Sequence, residues 1–147
     1  MKKISILFVS ALTLVMIFTS CTKDDSGSVD LNLIGGKWVF NKSTATSIGI
    51  TIPYSTSYFK NEDGCNKDYI DFLTGGAVKY GDYSLNCVFN GRDGTWTQSG
   101  NTVTINVTSS SFNGTFNVAS LNTTELILKI DGTYGGKSGT FNLYFTR

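Results

Sequence analysis

From Trp38 to Phe145 the apolar residues fall on every second position, in short runs separated by turn-forming residues. Trp38 and Phe40 open the series, and Ile70 with Phe72, then Val78 with Tyr80, continue it. Leu85, Cys87 and Phe89 alternate next, followed by Val103, Ile105 and Val107. Phe116 and Val118, then Leu126, Leu128 and Ile130, and finally Phe141, Leu143 and Phe145 close it. A period of two places all apolar residues of a run on one face of a β-strand, whereas a helix would need a period near 3.6.

The expected first strand runs from about Gly36 to Thr44. A Ser/Thr-rich stretch follows to Lys60, with Ile48, Ile50, Ile52 and Tyr54 marking a second strand around Pro53. Turns are expected at Thr74–Gly76, at Gly91–Gly94 ahead of Trp96, at Ser99–Asn101, and along the glycine-rich stretch from Asp131 to Gly139. Short connections favour pairing between sequence neighbours. About eight such strands close into a single antiparallel up-and-down β-barrel and so lose their exposed edges. A two-sheet sandwich is the main alternative. The immunoglobulin arrangement fits poorly, because it sets its tryptophan between two cysteines and Trp96 follows both Cys65 and Cys87.

The first thirty residues break this pattern. Lys2 and Lys3 precede an apolar run from Ile4 to Phe18 that is short for a membrane span, which needs about 20 residues. A basic start and a small-residue end are the marks of a secretory signal peptide. Phe18-Thr19-Ser20-Cys21 resembles the bacterial lipobox, which makes Cys21 the lipidated first residue of the mature protein. Thr22-Lys23-Asp24-Asp25 looks like the lysine-plus-acidic tag that sends some lipoproteins to the outer face of the outer membrane. The expected organisation is a lipoprotein signal peptide over 1–20, a flexible linker over 21–30 and a barrel domain over 31–147. Acyl chains on Cys21 would tether it to the outer membrane, facing the cell exterior.

Of three cysteines in the 147-residue chain, removing Cys21 leaves Cys65 and Cys87 as an even pair in an oxidising compartment, so a disulfide is expected between them. The formal charge of +1 includes Lys2 and Lys3, and a near-neutral mature domain offers nucleic acid no electrostatic footprint. There is no histidine, which removes the commonest general base and every Ser-His or Cys-His nucleophile pair. Gly135-Gly136-Lys137-Ser138 has the look of a phosphate loop, but Asp131 stands where that motif needs its first glycine and a strand follows it. Glu62, Asp63, Asp68 and Asp71 are acidic neighbours without the spacing of a calcium loop. Glu62 and Glu125 are the only glutamates, and no carboxylate pair stands out for hydrolysis. No catalytic residue, cofactor or metal site is therefore assigned, and the protein is not expected to be an enzyme.

Gly36-Lys37-Trp38 on a first strand resembles the lipocalin Gly-x-Trp signature, and Tyr144-Phe145-Thr146-Arg147 resembles the last strand of that fold. Cys65, then Asp68–Phe72, Cys87, Gly94-Thr95-Trp96 and Leu121–Leu128 follow in the order seen in small bacterial lipocalin-like lipoproteins. The resemblance covers about Leu31 to Arg147. It implies a barrel closed at the Trp38 end, with Arg147 packed over the tryptophan as its floor. It also implies a small hydrophobic ligand inside the barrel, lined by Phe72, Tyr80, Phe89, Trp96, Ile105, Phe116, Leu128 and Phe141, with access past Ile50 to Tyr58. The competing expectation is a packed barrel that meets glycans or partner proteins at the cell surface.

Overall fold

The computed structural model describes residues 31–56, 59–110, 112–134 and 137–147. The leader, Cys21, the Thr22–Asp25 tag, Tyr58 and the Gly135-Gly136 pair lie outside the described residues. Nine strands follow a short 3-10 turn at Leu31–Ile34: β1 Gly36–Ser47, β2 Ile50–Pro53, β3 Tyr69–Phe72, β4 Ala77–Ser84 and β5 Val88–Ser99. β6 Thr102–Val107, β7 Gly114–Leu121, β8 Glu125–Tyr134 and β9 Lys137–Thr146 complete the series. All pairings are antiparallel. β1, β3 and then β4 to β9 form a ring of eight that closes where β9 pairs with β1. β2 is a ninth strand, set against the upper half of β1 from Thr44 to Ser47, while β3 takes the lower half from Gly36 to Val39.

Several expected boundaries move. β1 continues past Thr44 to Ser47, and most of the stretch from Asp131 to Gly139 is strand rather than turn, since β8 pairs with β9 as far as Tyr134 and Lys137. Gly91 and Gly94 lie inside one continuous β5 rather than in a turn. A Cβ on Gly94 would come within 2.1 Å of the Asn106 carbonyl oxygen, and one on Gly91 within 2.9 Å of the Phe89 ring. Gly94 serves close approach across the sheet and Gly91 makes room for a ring of its own strand; neither reverses the chain. The reversal comes earlier, in a 3-10 turn at Leu85–Cys87, where Asn86 and Cys87 both have positive φ. Cys87 is there bonded to Cys65.

Two strands carry bulges. In β1, Phe40 faces Phe145 and Lys42 faces Tyr144, so Asn41 is the extra residue. Side chains alternate strictly, and one extra residue exchanges the faces. Trp38 and Phe40 point into the barrel below the bulge; above it Ser43, Ala45 and Ser47 do so instead. A second bulge between Val118 and Ser120 acts likewise in β7 and returns Leu121 to the core side.

The floor is built around Trp38, which is fully buried. Its indole N–H donates to the Ile34 carbonyl at 2.7 Å, and the Arg147 guanidinium sits 4.1 Å from its ring centroid. Arg147 also donates from Nη1 to the Gly35 carbonyl at 2.8 Å and from Nε to the Thr123 carbonyl at 2.9 Å. One terminal side chain thus ties the entry of β1 to the β7–β8 connection.

The mouth is closed by loops. Phe59, between β2 and β3, is buried, and its ring lies 5.1 Å from Phe40, 5.1 Å from Tyr80, 4.8 Å from Phe112 and 5.1 Å from Phe145. Phe112, between β6 and β7, lies 5.1 Å from Phe116. Phe40 stacks on Phe59 and the other pairs are tilted or edge-to-face; such pairs contribute about 0.5–1.5 kcal/mol each beyond their area.

The loop bearing Phe59 is held by a fully buried carboxylate. Asp68 accepts from the Lys60 backbone N–H at 2.7 Å and from the Tyr83 backbone N–H at 2.8 Å. Asn61 accepts from the Asp68 N–H and donates to the Phe40 carbonyl. The Cys65–Cys87 disulfide joins the same loop to the β4–β5 turn.

Trp38→Ala removes the centre of the floor and leaves a cavity, and should cost about 3–5 kcal/mol in urea unfolding. Loss of less than about 1 kcal/mol would show that the floor does not support the fold. A second expectation concerns Asp82, which is half-buried on β4. Burial, then the nearby Asp68 carboxylate and, more weakly, Glu62 raise its pKa, with Arg92 opposing them. A carboxyl whose folded pKa is raised holds its proton more tightly in the folded state, so stability falls as pH rises from about 4 through the folded value. Asp82→Asn should therefore raise stability at pH 7 and bring no gain at pH 3, as read by urea unfolding at both pH values. An equal gain at pH 3 would assign the effect to packing.

Candidate functional site

The barrel interior is occupied by protein. Ile105 and Leu128 are fully buried, and Phe72, Phe116 and Tyr80 nearly so. These side chains leave almost no surface that a water molecule could touch. The Tyr80 phenol, buried and near Asp82 and Asp68, has its pKa raised well beyond the usual phenol range, so it stays neutral at any physiological pH. Phe72 packs edge-on against Trp96 at 5.1 Å, and the Trp96 indole donates to the Leu73 carbonyl at 3.1 Å near the floor. Both line a shallow surface depression there rather than a chamber.

Phe89 stands on the outer face, 50% exposed, its ring over Gly91 and against Tyr83 at 5.1 Å. The run Leu85, Cys87, Phe89 had the right alternation for the inside, but the 3-10 turn absorbs its first two members and starts the strand at Val88. Of the eight side chains expected to line a ligand, Phe141 alone borders the apolar cavity described next.

That cavity sits above the Phe59 and Phe112 plug, where β1, β2, β8 and β9 rise beyond the barrel. Pairing sets Ile52 opposite Ala45, Ala45 opposite Phe141 and Phe141 opposite Ile130, one row across four strands. A small residue between large ones makes a groove. Its floor is Ala45, Ser47 and Gly139; its walls are Ile50, Ile52 and Tyr54 on one side and Phe141 on the other. A Cβ on Gly139 would lie 2.9 Å from the Thr46 carbonyl oxygen, so the floor is as low as the backbone allows.

The Tyr54 ring leans on Phe141 at 4.9 Å. Tyr54 is fixed to β1 twice, its N–H donating to the Ser43 carbonyl at 3.0 Å and its carbonyl accepting from the Ser43 hydroxyl. The groove encloses about 230 Å³ and opens to solvent along one side. No charged side chain lines it. The arrangement can exclude water from an apolar group; its polar side chains are the hydroxyls of Thr46, Ser47 and Tyr54.

The hairpin that carries the groove wall turns at Ile48-Gly49, a two-residue connection between Ser47 and Ile50. Both turn residues have positive φ, 51° and 74°. That is the I′ pattern, which favours Asn-Gly. An isoleucine in the left-handed region costs about 1–2 kcal/mol.

Sequence reasoning missed Phe59 and Phe112. Their only signal is isolation: each is a large apolar residue inside a stretch of Ser, Thr and Asn, where a solvated loop would carry none. The stretch expected to give access, from Ile50 onward, instead forms the site wall through Ile50, Ile52 and Tyr54.

No family model matches the sequence, and no curated protein matches it. Solved structures do. A lipocalin-like protein from Bacteroides uniformis aligns over 74% of this chain and 96% of its own, with 16% identity and a TM-score of 0.48. An uncharacterized protein from Bacteroides eggerthii aligns over 77% of this chain and 98% of its own, with 14% identity and a TM-score of 0.50. Lobster apocrustacyanin A1 aligns over 80% of this chain and 62% of its own, with 15% identity and a TM-score of 0.53. At these identities the likeness speaks for the fold alone. The chain has a lipocalin-like fold: an eight-stranded antiparallel barrel, closed on the Trp38 floor, with one added strand at its rim.

Proposed function

We propose that this is a lipid-anchored binding protein of the bacterial cell envelope that holds a small hydrophobic molecule, or the apolar end of a larger one, in the rim groove. The observation that carries the reading is the groove itself: uncharged, apolar-walled and about 230 Å³. The site lies above the plug rather than inside the barrel. The anchor rests on the lipobox-like Phe18–Cys21, and placement at the outer surface of the outer membrane rests on Thr22-Lys23-Asp24-Asp25.

Size and chemistry narrow the ligand. A cavity of about 150 Å³ lined by Leu, Ile and Phe holds one benzene, so 230 Å³ suits about nine carbon atoms. Burying them yields about 7 kcal/mol at about 0.8 per CH2, against association costs that begin at about 4. The affinity of such a group in water is then in the millimolar range. A ligand with a longer apolar body, continuing over Ile50, would bind more tightly.

The filled interior favours a second reading, in which the barrel is a solid support and its outer surface meets glycans or proteins. The half-exposed Phe89 with Tyr69 and Tyr83 would be the natural contact there.

Two measurements test the first reading. Mass spectrometry of the mature protein should find acylated Cys21 at its N-terminus; cleavage elsewhere, or an unmodified Cys21, rules out the anchor. In NMR titration, 1-octanol should shift the amide signals of Ala45, Ile52 and Phe141. Ala45→Phe should weaken that response about tenfold or more while leaving thermal stability nearly unchanged, since it fills the groove and not the core. Shifts confined to interior residues such as Leu128, or none at all, would count against the groove and leave the second reading.

A further inference from the structure

The β1–β2 hairpin exposes apolar surface that continues beyond the groove to its tip. Ile48 is 85% exposed at the tip, Ile50 68% and Ile52 54%. Solvent-facing hairpin tips are ordinarily polar, and the I′ turn would be relieved of strain by asparagine or glycine at the first position. Retaining a β-branched residue there opposes both solubility and backbone preference, a combination that marks a contact surface.

The character of the surface selects the partner. The tip is aliphatic, whereas the cores of protein interfaces are enriched in aromatic residues, Met and Arg. Its hydroxyls are already engaged within the chain: Thr46 Oγ1 pairs with Thr51 Oγ1 at 2.7 Å, and Ser47 donates to the Ser138 carbonyl at 2.9 Å. These hydroxyls therefore need no partner from a hydrocarbon phase. It is also continuous with the groove, since Ile50 and Ile52 belong to both.

The chain before the barrel is about as long as the barrel is tall. Cys21 lies ten residues before the 3-10 turn at Leu31–Ile34, a span of at most about 35 Å, and β1 from Gly36 to Ser47 rises about 36 Å. A barrel tethered through Cys21 can therefore lie on its side and bring its mouth, and not only its floor, to the membrane that holds it.

We infer that the Ile48 tip is a lipid-bilayer contact that lowers Ile48, Ile50 and Ile52 among the acyl chains and opens the groove directly to hydrocarbon. The inference rests on the reading of the groove as an apolar-ligand site and extends it: the ligand is an acyl-bearing lipid or a lipid-dissolved molecule taken from the bilayer. There its local concentration compensates for the weak affinity of a small groove.

The test uses the mature chain from residue 21 with Cys21→Ser, so that no acyl chain contributes. Among the described residues, every buried core residue lies between Ile34 and Phe145 and is retained. This protein should co-sediment with phosphatidylethanolamine/phosphatidylglycerol vesicles, equally in low and high salt, because the contact is apolar. Ile48→Asn should lower the partition coefficient about tenfold and at the same time raise the melting temperature, because Asn-Gly suits the turn. Ala45→Phe should lose the octanol response and keep the vesicle binding, which separates failure of the groove from failure of the tip. Wild type that stays off vesicles, or Ile48→Asn that binds as well as wild type, overturns the inference. So does a chain that ignores vesicles and dimerises through the tip in analytical ultracentrifugation, which would make a second copy the partner.

Discussion

The structure depends on one side chain that no strand supplies. Phe59 reaches from the β2–β3 loop into the top of the barrel and touches rings from β1, β4 and β9 and from the β6–β7 loop. An eight-stranded barrel has an interior that must be filled by side chains or left for a ligand. Here the lower part is filled from the strands and the upper part by Phe59 and Phe112. Much of the loop chemistry serves to keep Phe59 in place. The Thr56 hydroxyl accepts from its N–H, Asp68 and Asn61 hold the next residues, and the disulfide ties the loop's far end. With the interior closed, the apolar groove lies at the rim, where β2 adds a wall that an eight-stranded ring would not have.

The two ends of the molecule are stabilised by different physics. At the floor, a guanidinium lies over an indole and completes its hydrogen bonding with two backbone carbonyls. That arrangement suits a surface position, since the arginine keeps contact with water while the tryptophan is buried. At the mouth, the decisive group is a buried carboxylate that meets backbone N–H donors on two sides. Removing it would leave those donors unsatisfied inside the protein, a larger penalty than the net gain of forming such bonds. The floor resists opening through packing, and the mouth through polar satisfaction.

Alternation made the fold legible in the sequence. The runs from Val103 to Phe145, the Trp38 and Phe40 pair and the Ile70 and Phe72 pair all reappear as inward-facing strand positions. Legibility failed where alternation was interrupted or irrelevant. The bulge at Asn41 shifts β1 out of phase just as its residues become Ser, Thr and Ala, so the upper half of that strand gave no periodic signal. Gly94 read as a turn because its reason, the Asn106 carbonyl pressing from β6, is tertiary. The groove was out of reach for a related cause. Its depth comes from Ala45 and Gly139 lying between larger residues on other strands, and small residues announce nothing on their own.

Asn41 sets the inner wall of the upper barrel without belonging to it. Ala45 and Ser47 face the groove because the ladder leaves Asn41 out between Phe40 and Lys42. Were Asn41 drawn into regular alternation, Thr44 and Thr46 would take the concave face and the small side chains would turn outward, while Trp38 and Phe40 stayed where they are. The groove and the barrel floor share one strand, yet they depend on different properties of it: the floor on residue identity, the groove on the place where the pairing slips.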